Sequence, residues 1–329
     1  MAVRDGNAGR DRWDGMPASP HIVALAGGVG GAKLAHGLAQ QVDPGHLTIV
    51  VNTGDDFEHL GLLICPDIDT VLYNLAEVNH PVQGWGRVEE SFQVLAEVQH
   101  LGHDAWFRLG DRDIALHLLR RQGLDAGKSL TAVTAGLAQR LGVLHPVLPM
   151  SDEPVRTIIH TPEGELAFQE YFVHRRCGPA MLGMTLAGLD RAQPSVQVMA
   201  ALAAADAVIF CPSNPYVSLD PILALPGVRA AVAAVPAVAV SPIVGGQALK
   251  GPAAKMMSEL GVEVSALGVA RHHGSLLAGF VLDQADASLA PAVTALGMRV
   301  LVTDTIMDDK AGRARLAAEV LAMLGEGRA

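Results

Sequence analysis

Hydrophobic positions in this chain fall mostly in short unbroken runs. Residues 22–26, 47–51, 143–148, 207–211, 237–240 and 299–302 are dominated by Ala, Val, Ile and Leu. Runs of this kind predict strands covered on both faces, as in a parallel sheet. Between them the apolar residues recur at helical spacing. Leu130, Val133, Leu137 and Leu141 mark one face of a helix with Ser129 as its N-cap, and a further helix runs from Asp309 or Lys310 towards Leu324, ending at Gly325. Strand and helix alternate at both ends of the chain, which predicts an α/β fold: a Rossmann-like, doubly wound, mostly parallel sheet.

The middle of the chain reads differently. Residues 155–159 and 166–173 are β-rich around the turn sequence Thr161-Pro162-Glu163-Gly164 and predict a small β-hairpin region. Residues 70–122 read as a mainly helical insertion capping the sheet. With no internal repeat and no low-complexity linker, the economical organisation is a single α/β domain over residues 21–329. A flexible extension, residues 1–20, precedes it; it is rich in Gly, Asp, Arg and Pro and lacks the apolar centre of a secretory signal.

Composition narrows the function classes. At 329 residues, 50% hydrophobic and 18% charged, the chain can bury a large core, and at 4% aromatic that core is mainly aliphatic. A net charge of -10 argues against broad attraction to nucleic acid or anionic lipid and leaves a small-molecule partner as the expectation. No apolar segment reaches the length of a membrane span. Cys65, Cys177 and Cys211 stand far apart without C-x-x-C spacing, as in a reducing cytoplasm, and suggest neither a disulfide framework nor a cysteine zinc site.

The candidate chemistry sits after the first two strands. Gly27-Gly28-Val29-Gly30-Gly31-Ala32-Lys33 follows the run at 22–26. It is not a P-loop, because no Gly-Lys-Ser/Thr closes it, and Lys33 stands where the third glycine of a dinucleotide fingerprint belongs. A glycine loop leading into a helix near Ala32 still offers backbone N–H groups and a helix dipole to a phosphate. The bland alternative is a tight turn that binds nothing, and such a turn rarely needs four glycines. Asp55 and Asp56 then follow the second strand, and Asp67 and Asp69 follow closely. Four carboxylates exceed what a ribose contact needs and suit a divalent metal, although Asp67 or Asp69 could simply cap the helix starting near Thr70.

Further loops fall at the sheet's expected ligand edge. Pro212-Ser213-Asn214-Pro215 follows a buried strand, and Lys250 and Lys255 lie where they could reach anionic oxygens, although a lysine in such a place is more often simply solvated. The charge-dense Arg108-Leu109-Gly110-Asp111-Arg112-Asp113 reads equally well as a solvated helix start. His272 and His273 have no partner at metal-ligand spacing and are assigned no ligand role.

In this order the blocks resemble the 2-phospho-L-lactate transferase family of coenzyme F(420) biosynthesis. The likeness runs through the glycine loop, Asn52 to Asp56, Pro66 to Thr70, Gly84-Trp85-Gly86, Leu109 to Asp113, Leu148 to Asp152, Pro212 to Pro215 and Ser241-Pro242-Ile243. The resemblance implies a transferase that moves a phospho-acid from a guanylylated donor to the ribityl hydroxyl of 7,8-didemethyl-8-hydroxy-5-deazariboflavin, releasing GMP, with magnesium (Mg2+) as the metal and a homodimer as the assembly. Carried over by position, it puts the donor phosphates near Gly28, Gly30, Gly31 and Lys33, with Ser213 and Asn214 as further contacts. Asp69 and Arg108 match acceptor-binding positions. The metal falls to Asp55 or Asp56 with Asp67 or Asp69, and Asp69, Asp55 and Asp56 are the catalytic candidates.

Two departures stand out. The leader is longer than the family's usual start, and Gly-Val-Gly-Gly-Ala-Lys replaces the Gly-Thr-Gly-Thr-Pro-Lys of archaeal members. The second favours an enolpyruvoyl donor over a lactyl one and leaves a glyceryl donor open. The rival readings are a regulatory protein of related layout that binds sugar nucleotides without catalysis, and an NAD-dependent oxidoreductase, which would need the glycine that Lys33 replaces.

Overall fold

A computed structural model describes residues 16–325. Its centre is a seven-stranded sheet in the spatial order Arg299–Thr303, Gly279–Asp283, Ala237–Val240, Ala207–Phe210, Ile22–Ala26, Leu47–Val51, Val147–Pro149. Every pairing in it is parallel. The chain therefore fills one half of the sheet outward from Ile22–Ala26, then returns to lay Ala207–Phe210 on that strand's other side. The order reverses between these two strands, and at such a switch point the loops leaving their carboxyl ends diverge and open a crevice.

Both faces are covered, as the unbroken apolar runs require. Val23, Leu25, Val50, Val208 and Phe210 enter one core, while Ala24, Ala26, Ile49, Val51 and Ile209 enter the other. The period-2 geometry of a strand sends neighbours to opposite faces, so a single run feeds two cores. On the second face the helix Gly28–Ala39 packs between Pro66–Leu75 and Lys310–Gly325. The Ser129 cap is present, its hydroxyl accepting from Ala132 N–H at 3.2 Å ahead of Leu130–Arg140.

Several expectations need correction. The strand expected over 143–148 is shorter, Val147–Pro149, because residues 141–146 form a turn around Gly142, Pro146 and the hydrogen bond of His145 to the Val42 carbonyl. Gly279–Asp283, next to the edge strand of the main sheet, is a strand that the pattern missed; its apolar run is brief and begins at a glycine. The helix placed near Ala32 begins at Gly28, and that placed near Thr70 begins at Pro66.

The region 70–122 is only partly helical. Pro66–Leu75 is a sheet-covering helix, with Ile68, Val71 and Leu72 in the core. Gln93–His100 and Asp111–Asp125 follow, and residues 76–92 between are largely turns joined by an Asn79–Arg87 bridge. The hairpin is present as Arg156–Thr161 with Gly164–Ala167, but Gly183–Ala187 joins as a third strand. Residues 168–173, expected in the strand, instead wind into a helical turn that runs on to His174 and buries Phe168 and Tyr171. Residues 1–15 of the expected extension lie outside the described residues. No helix among the described residues is long and apolar enough to cross a membrane.

Candidate active site

A cavity of about 700 Å³ opens at the switch point. That volume suits cofactor-sized ligands. Its walls are the loops that leave the carboxyl ends of the strands: Gly27 to Gly30, Pro212 to Asn214, Ser241-Pro242 and Thr305 to Asp308.

The glycine loop is held rigidly from two sides. Ser213 Oγ accepts from Gly27 N–H at 3.0 Å and donates to Gly27 C=O at 2.9 Å. Asp67 Oδ1 accepts from Gly28 N–H at 2.7 Å while its Oδ2 accepts from the Asn52 amide at 2.9 Å. Two glycines are dictated by local geometry. Gly28 has φ +62°, in the left-handed region, and a Cβ on Gly30 would lie 2.3 Å from the Pro212 carbonyl oxygen. Gly31 lies buried beneath Ser213 and does not line the cavity, which separates it from the phosphate-contact set expected of the loop. Ser213 likewise braces the loop with its hydroxyl instead of offering it outward. The first-turn N–H groups at Val29 and Gly30 have no carbonyl one turn back within their own helix and point to the cavity end. Lys33 and Lys250 add positive charge to this wall. Burial and then Arg313 lower the Lys33 pKa from its ordinary value. Asn214 also lines the cavity; its Oδ1 accepts from Tyr216 N–H and its Nδ2 faces Met256 Sδ. Lys255 is elsewhere, paired with Glu259 and donating to Tyr171 Oη.

The four carboxylates divide by environment. Asp69, in the first turn of Pro66–Leu75, is gripped by both arms of Arg120: Nη2 donates to Oδ1, and Nη1 donates to Oδ2 at 3.1 Å. Arg120 is completely buried, and its Nη1 also meets Leu63 C=O at 3.3 Å and His117 Nδ1 at 2.9 Å. Burial pushes His117 down to about 4. Asp56 does not line the cavity. Burial raises it to about 7, against the opposing pull of Arg156. Asp55 does line the cavity; burial, then the negative charges of Asp67 and Asp56, hold it well above the carboxylate range. Its Oδ1 is buried without a hydrogen bond. Burial likewise raises Asp67 to about 6. Asp69 is taken by Arg120, and Asp56, whose two oxygens are buried without a partner, lies outside the cavity lining; Asp55, with its free oxygen, and Asp67 are the cavity-lining carboxylates that fit a hard cation.

Aromatic rings also line the cavity. Trp106, Phe107, Phe168 and Phe172 are among them, Trp85 lines it beside Gly84 and Val29 of the glycine loop, and Arg108, also lining the cavity, lies over the Phe92 ring at 4.2 Å. Trp106 stacks on His174 at 4.9 Å and 7° and on Phe57 at 5.6 Å. Sequence reasoning noted Trp85 and Arg108 but missed Trp106, Phe107, Phe168 and Phe172; rings this concentrated in a chain so poor in aromatics were the available signal. It also missed Arg120. Asp113, His117 and Arg120 recur at helical spacing on one face, a polar stripe that marks a buried network.

A doubly wound sheet with a glycine loop, carboxylates and aromatic rings gathered at its switch point is the arrangement of an α/β enzyme site. The chain belongs to the family described as 2-phospho-L-lactate transferase CofD, which it matches over residues 22–311. It is 43% identical over 316 residues to the phosphoenolpyruvate transferase of Streptomyces griseus, covering 94% of this chain and 99% of that protein. It is 37% identical over 302 residues to the 2-phospho-L-lactate transferase of Methanosarcina acetivorans, covering 92% and 98%. In fold it is similar to the crystal structure of a upf0052 family member from Bacillus halodurans, with a TM-score of 0.60 at 15% identity over 93% of this chain and 99% of that one.

Proposed function

We propose that this protein transfers a phospho-acid, with enolpyruvoyl phosphate first among the candidates, from a guanosine diphosphate conjugate to the terminal ribityl hydroxyl of 7,8-didemethyl-8-hydroxy-5-deazariboflavin, releasing GMP. The observation that carries the reading is one cavity lined at once by an anion-binding loop and by a wall of aromatic rings. A diphosphate suits the first and a planar deazaflavin the second, so the phosphorus and the hydroxyl would meet between them. Greater identity to a phosphoenolpyruvate transferase than to a 2-phospho-L-lactate transferase supports the enolpyruvoyl choice.

Transfer at phosphorus asks the protein mainly for position and charge. The Val29 and Gly30 N–H groups, Lys33 and Lys250 would hold the donor's phosphates. Magnesium, held by Asp55 and Asp67, would neutralise charge on the diphosphate oxygens. Asp69 is already paired with Arg120, so its role would be to accept a hydrogen bond from the ribityl hydroxyl and orient it more than to remove its proton. Arg108 and the rings would fix the deazaflavin plane.

The test is turnover with magnesium, the deazariboflavin and each of the enolpyruvoyl, lactyl and glyceryl donors in separate reactions, following GMP and product mass. A deazaflavin phosphodiester from one donor supports the proposal and names the substrate. Tight nucleotide binding with no product from any of the three would overturn it in favour of a nucleotide-binding regulator.

A further inference from the structure

Behind the Pro212–Asn214 loop, away from the cavity, the fold brings together three groups that the sequence keeps apart. Asp220 opens the short helix Asp220–Ala224, while His272 and His273 end the helix Ala266–His273. The expectation that these histidines have no partner is corrected here: a carboxylate oxygen of Asp220 and one ring nitrogen from each histidine lie within 4.8 Å of one another. His272 Nε2 already meets both Asp220 oxygens at 2.9 and 3.0 Å.

His273 supplies an independent observation. Its ring is 4% exposed and packs edge-on against Phe210, with centroids 5.2 Å apart, yet neither ring nitrogen has a hydrogen-bond partner. A phenylalanine would fill this place without leaving two polar atoms unpaired. Tyr216 stands alongside, its ring 4.6 Å from His272 and its hydroxyl buried without a partner. Burial, His272 and Arg229 keep the His273 ring neutral, with its pKa pushed down to about 3; neutral imidazole is the form that binds metal.

We propose that Asp220, His272 and His273 form a binding site for a transition divalent cation of the zinc class. Two imidazoles and one carboxylate match the donor set of zinc and are poor for magnesium, which prefers oxygen alone. At a metal–nitrogen distance of about 2.0–2.1 Å, donors can stand at most about 4.2 Å apart, so small side-chain rotations suffice to close the cluster. A bound ion replaces the hydrogen bond between His272 Nε2 and Asp220, the imidazole proton standing on Nδ1, so that both groups donate to the metal. It ties the end of Ala266–His273 to the turn Pro215–Leu219, whose Val217 and Ser218 line the cavity, and so braces that wall. None of the three ligands lines the cavity, and the site stands independently of the transfer reaction proposed above.

The full chain, stripped with a chelator and held in excess magnesium to occupy the carboxylate pair, is titrated with Zn2+ by calorimetry and with Co2+ by visible absorption. A single equivalent of Co2+ should give the intense d–d bands of a low-coordinate nitrogen-containing site, and Zn2+ should raise the unfolding temperature. His273→Phe, which keeps the ring packing, and Asp220→Asn should each weaken binding by more than about 100-fold, beyond the loss expected for a group that only orients a ligand. Wild-type protein that binds neither ion, or variants that bind as tightly as wild type, would overturn the site. If His273→Phe does not fold by circular dichroism, the partly exposed Asp220→Asn decides the question alone.

Discussion

Replacing Arg120 with Met tests the network beneath the cavity. The aliphatic volume is largely kept, so the change removes charge and hydrogen bonds more than packing. In the wild type the guanidinium satisfies both Asp69 oxygens, the Leu63 carbonyl and His117 Nδ1, with no exposure of its own and 5% for Asp69. After Arg120→Met the nearest remaining cationic candidate is His117, 3.6 Å from Asp69 Oδ2, and burial holds that imidazole neutral. Breaking a buried pair from one side costs about 3–5 kcal/mol, because the remaining charge is neither solvated nor paired. Urea unfolding followed by far-UV circular dichroism and tryptophan fluorescence should show a lower midpoint with coincident transitions. The double variant Asp69→Asn/Arg120→Met should recover at least about 2 kcal/mol relative to the sum of the single losses, since no unpaired charge remains. A single-variant loss below about 1 kcal/mol, or strict additivity in the cycle, would refute the reasoning that Arg120 exists to hold Asp69.

Three more outcomes follow from the geometry. In chelator-treated protein, burial holds the folded Asp56 carboxyl up at about 7 against an ordinary value of 3.8, so its own contribution to stability should fall as pH rises from about 4 to 7 and then level off. Asp56→Asn mimics the protonated form and should be more stable above pH 7 by up to about 4 kcal/mol, at about 1.4 kcal/mol per pKa unit, and unchanged below pH 4; equal melting curves at pH 8 would contradict this. Gly30→Ala forces a Cβ within 2.3 Å of the Pro212 carbonyl and should cost about 1–3 kcal/mol and raise the donor KM, read by thermal unfolding and turnover. Trp106→Ala removes a ring stacked on both His174 and Phe57 and should raise the acceptor KM about three- to tenfold with the donor KM unchanged; an effect on the donor instead would misassign the aromatic wall.

Local pattern was sufficient wherever the physics is local. Unbroken aliphatic runs announce doubly covered strands, a serine before a helical stripe announces a cap, and glycines between strand and helix announce a tight turn at the sheet's open edge; these carried the fold class and led to the cavity. The pattern failed where length or turn chemistry blurred it, as at Gly279–Asp283 and at 143–148. What each site residue does depended on its neighbours in space. Four aspartates look alike along the chain, yet Asp69 is neutralised by an arginine 51 residues away, Asp67 clamps the glycine loop, Asp56 lies outside the cavity lining with both oxygens unpaired, and Asp55 lines the cavity with one oxygen unpaired. His272 and His273 looked solitary until Asp220 arrived from 52 residues away. Hydrogen bonding and electrostatics decay over a few ångströms, so sequence set the inventory of charged and polar groups, and only the packing of helices and loops on the sheet decided which of them meet.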